Sequence, residues 1–242
     1  MNIAVIFAGG VGSRMHSKDR PKQFLEIHGK PIIIHTLEVF EHHPDIDAIV
    51  ISCVESGIPH LQNLLKTYNL QKIRKIVPGG ATGQESIYNG LLAAEALAGN
   101  EKSVVLIHDG VRPMIYEKTI TDNITCVKTH DSCITCVPVK ETVLLVNEST
   151  NAVECIPPRK KSRLARAPQS FWLADILQLH RAAQRDGLLD FVDSCTMMQH
   201  YGKTLYLIEG PQENLKITTP DDFYAMRALL DAKENAQIYG VD

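Results

Sequence analysis

The chain lacks any run approaching the about 18 apolar residues that a membrane span requires, so nothing in it calls for a bilayer. Its start, Met1-Asn2-Ile3-Ala4, has no cationic segment ahead of a short apolar run, which argues against a secretory signal and gives a cytoplasmic expectation. An excess of positive charge is also missing. With 25 Lys and Arg against 28 Asp and Glu, the net charge is −3, which argues against a nucleic-acid surface spread over the whole molecule and leaves room for local basic pockets. The six cysteines follow no framework spacing and read as reduced thiols. The single C-x-x-C, Cys133 to Cys136, lies in a β-like stretch with no second pair and no His-x-x-x-His to complete a zinc site. Repeats, low-complexity tracts and linkers are absent too. With 242 residues, 44% hydrophobic and 22% charged, the chain is expected to form one domain, 1–242, with a substantial core.

Two familiar phosphate-binding motifs are broken as well. A dinucleotide fingerprint would begin at Gly10-Val11-Gly12, but Met15 stands where the third glycine must let helix and strand approach. A P-loop fails at both places it could start. Gly29-Lys30 runs into Pro31, and Gly202-Lys203-Thr204 has Met197 at the upstream glycine position. What is present is a different glycine turn. The run Ile3 to Phe7 stops at Ala8-Gly9-Gly10-Val11-Gly12, and the segment that follows carries Arg14 and Pro21-Lys22-Gln23. Glycines without Cβ let backbone N–H groups crowd against anionic oxygens, and the two cations would meet the charge from the side. Alone, such a turn equally suits an ordinary strand-to-helix connection; with Arg14 and Lys22 attached it points to a polyphosphate.

Strand-like runs at Ile3 to Phe7, Ala48 to Cys53, Ile73 to Val77, Val104 to His108 and Cys133 to Val139 alternate with helical apolar spacings, the α/β pattern. Helices are expected after Pro31, over Leu61 to Tyr68, over Ile87 to Leu97 ending at Gly99-Asn100, and near Leu173 to Arg185 and Asp221 to Lys233, with a further strand at Thr204 to Ile208. From Val137 the rhythm changes. Glu141 to Val146 and Ala152 to Ile156, joined by Asn147 to Asn151, read as a β-hairpin arm, at about 138–160 in all, whose face needs a partner such as a second subunit. Ligands of open α/β sheets bind beyond the carboxyl ends of strands, where the glycine turn, Pro78-Gly79-Gly80 and His108-Asp109 all fall.

Val104 to Pro113 reads as a buried strand ending in Asp109, with Arg112 three residues on. Asp109 is placed to hold Mg²⁺ bridging nucleotide phosphates; a cap or turn carboxylate is the plainer alternative, as a solvated charge is for Arg112. Arg159 to Arg166 packs five cations into eight residues, most of them expected on a solvated face, and Met197-Met198 reads as core.

Five segments together resemble the polyol-phosphate cytidylyltransferases: A-G-G-x-G-x-R-M with P-K-Q (Ala8 to Gln23), G-G-x-x-x-x-x-S (Gly79 to Ser86), H-D-x-x-R-P (His108 to Pro113), A-P-Q (Ala167 to Gln169) and N-L-K-I-T-T-P-D-D (Asn214 to Asp222). They occur in the family's order over nearly the whole chain. The resemblance implies a Rossmann-like three-layer α/β/α nucleotidyltransferase fold with a protruding β-hairpin dimerisation arm. It also implies transfer of CMP from CTP to a polyol phosphate, giving a CDP-polyol and pyrophosphate. By the same resemblance Ala8, Gly9, Gly10 and Gly12 cradle the CTP phosphates, and Arg14 and Lys22 stabilise charge at the α-phosphorus. Gly80, Ala81 and Ser86 face the cytosine, Asp109 holds Mg²⁺, and Arg112 supports that loop. Arg159 and Lys216 grip the acceptor phosphate, with Thr142 nearby and Lys216 shared with the catalytic set. The arm bearing Thr142 and Arg159 crosses to a neighbouring subunit, which implies a homodimer with shared sites.

Three positions depart from the family pattern: Gly83 where many relatives carry arginine, Ala167 where threonine is usual, and Val192-Asp193 in place of Thr-Asp. Ala8-Gly9-Gly10 and Asn214 to Pro220 resemble the ribitol-phosphate branch more than the methylerythritol-phosphate branch of isoprenoid biosynthesis, which remains the nearest rival. A non-catalytic nucleotide-binding scaffold is the rival of another class, although a scaffold has no need of Arg14, Lys22, Asp109, Arg159 and Lys216 together.

Overall fold

The structure, a computed structural model, describes residues 1–9 and 21–239, with side chains to residue 235. Strand β1 (Asn2–Ala8) is followed, after a 3₁₀ turn at Lys22–Phe24, by a small antiparallel pair, β2 (Glu26–Ile27) and β3 (Lys30–Pro31). Then come α1 (Ile32–His42), β4 (Ala48–Cys53), α2 (Ile58–Thr67), β5 (Ile73–Pro78), α3 (Gly83–Ala98), β6 (Val104–Asp109), α4 (Glu117–His130) and β7 (Ser132–Pro138). The hairpin strands β8 (Leu145–Val146) and β9 (Val153–Cys155) precede β10 (Arg163–Trp172), α5 (Leu173–Asp186), α6 (Ser194–His200), β11 (Leu207–Glu209) and α7 (Pro220–Tyr239).

Seven strands form one sheet in the order β11-β7-β10-β6-β1-β4-β5. Only β10 runs antiparallel to its neighbours. Strands β1, β4 and β6 read as near-continuous apolar runs because both faces of the sheet are covered. Alternation divides their side chains between two cores. Ala4, Ile6 and Ala8 face a layer containing Leu37 and Phe40 of α1, Leu61 of α2 and Ile124 of α4. Ile3 and Val5 face Leu91 of α3, Ile176 of α5 and Met197 and Met198 of α6. A third cluster, Ile27, Ile32, Val111, Met114, Ile217 and Met226, fastens α7 and the segment before it beside the carboxyl end of β6. All six cysteines are free.

The observed elements differ from the expected ones at the far side of the sheet and in the arm. Strand β10 falls where the sequence shows a basic stretch followed by Ala167-Pro168-Gln169. Pro168 and a register shift between Ala165 and Gln169 interrupt its alternation, so the period of two is hidden. The arm is shorter than expected. Only Leu145–Val146 and Val153–Cys155 pair, with a turn in which Asn147 Oδ1 accepts from the backbone N–H groups of Ser149 and Thr150. Strand β11 begins three residues later than expected, where the chain comes alongside β7. Helix α4 was not marked out by its sequence because its buried stripe consists chiefly of Ile120, Ile124 and Val127 among polar residues.

Candidate active site

The carboxyl ends of β1, β5 and β6 open onto a cavity of about 490 Å³. Strand β1 is flanked by β4 on one side and β6 on the other, both parallel to it, so the chain leaves in opposite directions from the two halves and a crevice results. Ala8 and Gly9 form its floor, Gly79 to Gly83 and Ser86 one wall, and Asp109, Lys22, Lys216 and Thr218 the other. The floor and first wall meet through bare backbone. A Cβ on Gly79 would stand 3.1 Å from Gly9 Cα, and one on Gly9 would stand 2.5 Å from Ser86 Oγ. These glycines are required by close approach.

The wall after β5 is tied at the start of α3. Thr82 is the N-cap, its hydroxyl accepting from the Glu85 N–H, while Glu85 reaches back to the Ala81 N–H at 2.6 Å. Ser86 Oγ accepts from the Gly80 N–H at 3.0 Å and donates to the Thr82 carbonyl at 2.9 Å. Ser86 is 3% exposed, so it organises the loop from beneath.

On the opposite wall a buried carboxylate meets two cations. Asp109 Oδ2 accepts from Arg112 Nε at 2.7 Å, and Lys216 Nζ lies 2.6 Å from Oδ1. Burial alone would raise the Asp109 pKa; Arg112 and Lys216 outweigh it and hold the carboxyl far below the usual carboxylate range. Arg112 is itself buried and also donates from Nη1 to the Asn214 carbonyl at 2.9 Å, so the solvated-charge alternative is overturned. Lys22 Nζ donates to the Ile217 carbonyl at 3.0 Å, which sets it beside the same segment. His108 is fully buried, its Nε2 in contact with the Arg112 carbonyl at 3.1 Å. Burial pushes its pKa down to about 4, so it is neutral and serves the loop.

Among the described residues no group of three His, Cys, Asp or Glu side chains could hold a metal by itself. Asp109 presents one buried carboxylate to the cavity, whose lining also includes Glu55, and one carboxylate suits Mg²⁺ that arrives with phosphates and keeps several waters. Lys216, with 38% of its side chain exposed, can move off Oδ1 to admit it.

Of the expected site residues, Ala8, Gly9, Lys22, Gly80, Ala81, Ser86, Asp109 and Lys216 line the one cavity, and Arg112 lies directly behind Asp109. Gly10, Gly12 and Arg14 lie outside the described residues. Thr142 and Arg159 sit exposed on the arm and do not line the cavity of their own chain; Arg159 Nη1 only approaches the Lys140 carbonyl, at 3.4 Å. Residue-level reading passed over three supports. Gln23 Nε2 donates to the Ala8 carbonyl at 2.8 Å, Asn214 Nδ2 donates to the Ala167 carbonyl at 2.6 Å, and Asp222 Oδ2 accepts from the N–H and hydroxyl of Thr218 and of Thr219. Those hydrogen bonds outweigh the desolvation that would raise the Asp222 pKa and hold it at about 2. Each belongs to a short polar run, P-K-Q or N-L-K-I-T-T-P-D-D, which was its only signal.

The fold and this site define an α/β nucleotidyltransferase. Residues 2–232 match the family described as IspD: 2-C-methyl-D-erythritol 4-phosphate cytidylyltransferase, and the chain belongs to that family of enzymes. It is 54% identical over 241 residues to the ribitol-5-phosphate cytidylyltransferase of Streptococcus agalactiae serotype Ia, covering 100% of both chains. It is 38% identical over 231 residues to the 2-C-methyl-D-erythritol 4-phosphate cytidylyltransferase of Clostridium acetobutylicum, covering 95% of this chain and 97% of that one. The crystal structure of 4-diphosphocytidyl-2C-methyl-D-erythritol synthase from Anaerococcus prevotii superposes with a TM-score of 0.82 at 25% identity, covering 95% and 96% of the two chains. No helix among the described residues is long and apolar enough to cross a membrane.

Proposed function

We propose that this enzyme transfers CMP from CTP to ribitol 5-phosphate, releasing pyrophosphate and CDP-ribitol, in the cytoplasm, with Mg²⁺, as a homodimer whose arms complete one another's sites. The observation that carries the reading is the pairing of Lys216 and Arg112 with Asp109 in a glycine-lined crevice that Lys22 also lines. A phosphate monoester is already anionic near neutral pH, so its oxygen can attack the α-phosphorus in line while pyrophosphate departs. No side-chain nucleophile is needed. The enzyme's part is positioning and neutralisation of the charge that builds on the phosphorus. The loop Gly80 to Ser86 would hold the base, Ala8 to Gly12 the triphosphate, and Lys22 with Arg14 the developing charge. Asp109 would hold Mg²⁺, which supplies neutralisation across the phosphates.

Ribitol 5-phosphate is favoured over 2-C-methyl-D-erythritol 4-phosphate because the greater, end-to-end similarity is to a protein of that name. The homodimer is supported by the arm, where Leu144, Leu145, Val146, Val153 and Ile156 are each at least 43% exposed in a single chain. The test is pyrophosphate release from CTP and Mg²⁺ with each acceptor in turn. Release with ribitol 5-phosphate far above that with 2-C-methyl-D-erythritol 4-phosphate is expected. The reverse order would move the acceptor assignment to the other branch, and no release with any polyol phosphate would leave the scaffold reading.

A further inference from the structure

Among the described residues, Arg166 is a cation without a counter-charge. It lies on β10 inside the register shift between Ala165 and Gln169, half-buried, and its Nε is buried with no hydrogen-bond partner. Among the described residues it enters no ion pair, whereas Arg112 has Asp109 and Arg181 has Glu95. Burial first, and the charge of Arg112 second, both act against its ionised form. Its position is nonetheless braced. The Ala167 carbonyl next to it accepts from Asn214 Nδ2, and the Asn214 carbonyl accepts from Arg112 Nη1, so one buried asparagine ties the backbone beside Arg166 to the side chain of Arg112. A protein that desolvates an arginine beside another arginine spends stability unless an anion completes the site.

Strand order says which anion. The base loop follows β5 and the glycine turn follows β1, while β10 lies across β6 on the side away from both. Arg166 does not line the cavity itself, so an anion held there lies beside the crevice on the side away from those two loops, where an acceptor can approach. We propose that Arg166 binds the phosphate monoester of the acceptor, its planar fork supplying a paired contact that sets acceptor affinity and not CTP affinity. This rests on the acceptor being a polyol phosphate.

The experiment uses the full-length enzyme and its Arg166→Leu and Arg166→Lys variants. First, thermal unfolding is followed without ligand and with inorganic phosphate. Arg166→Leu is expected to unfold at or above the wild-type temperature, because an unpaired cation has been removed, and to lose the stabilisation by phosphate; Arg166→Lys keeps part of it. Second, in pyrophosphate release, the acceptor KM of Arg166→Leu is expected to rise about 10- to 100-fold with the CTP KM unchanged. An unchanged acceptor KM together with an unchanged phosphate response would overturn the assignment. So would a raised CTP KM, which would make Arg166 a triphosphate ligand, or a shift to monomer in light scattering, which would make it an interface residue. If wild-type enzyme turns over no polyol phosphate yet its phosphate stabilisation still depends on Arg166, the proposed reaction fails and the anion site stands.

Discussion

Lys22 and Lys216 reach the crevice from distant parts of the chain and differ in what holds them. Lys22 Nζ donates to the Ile217 carbonyl and Lys216 Nζ pairs with the Asp109 carboxylate, and both line the crevice. A donor used only in the transition state typically supplies about 100- to 1,000-fold in rate. Lys22→Ala is accordingly expected to lower kcat by about that factor while CTP binding, measured by calorimetry, changes only a few-fold. Equal losses in both would remove its transition-state role. A second residue-scale prediction concerns His180, which is 2% exposed, has no hydrogen bond to either ring nitrogen among the described residues and stacks on Tyr88 with centroids 5.5 Å apart. Burial lowers its pKa from 6.5 to about 4, so the unfolded chain binds a proton there that the folded one refuses. Stability is therefore full above pH 6.5 and falls as pH drops towards 4, as it does for His108. The depressed Asp109 and Asp222 lose their contribution lower, as pH falls from the unfolded value of 3.8 through their lowered folded values. His180→Phe keeps the stack and is expected to flatten the thermal midpoint's dependence on pH between 6.5 and 4. An unaltered slope would place the acid sensitivity elsewhere.

Helix α3 is the element on which the base-side wall depends, and two contacts set it. At its amino end Thr82 caps the Glu85 N–H and donates to the Leu189 carbonyl, and Gln84 ties the same Leu188 to Phe191 stretch to the helix. Thr82→Ala removes the cap, an expected loss of about 1 kcal/mol in denaturant titration, with a raised CTP KM because Gly80 and Ala81 lose their frame. In its middle, Gly90 lets the helix lie on the sheet: a Cβ there would stand 2.6 Å from Val5 Cγ1 in the fully buried core. Gly90→Val is expected to destabilise by about 1–3 kcal/mol or more through overpacking, against whatever the new residue gains in helix propensity. A variant as stable as wild type would show that α3 is free to lift.

The arm bears on the molecule as an assembly. Thr142 and Arg159 are exposed and away from their own chain's cavity, while Asp109 and Lys216 line it. If the sites are shared, Arg159→Ala and Lys216→Ala homodimers are each nearly inactive. Mixing and reassembling them forms heterodimers with one intact site, restoring up to about a quarter of wild-type turnover. No recovery despite subunit exchange would make each site the property of one chain.

Much was readable from the residues alone where local chemistry dominates. Strands β1, β4 and β6 are apolar runs because both sheet faces are covered, the edge strand β5 shows through Ile73, Ile76 and Val77 although Arg74 and Lys75 face solvent, and Gly9, Gly79-Gly80 and Asp109 fall at the ends of strands. Tertiary structure alone decided the rest. It turned β10 antiparallel between β6 and β7 and hid that strand's period behind Pro168. It brought Lys22 and Ile217 together across 195 residues, and it left Arg166 beside Arg112 with no counter-charge among the described residues. Periodicity records which face a residue buries; which charges meet depends on strand order, and strand order is set by packing between elements far apart in the chain.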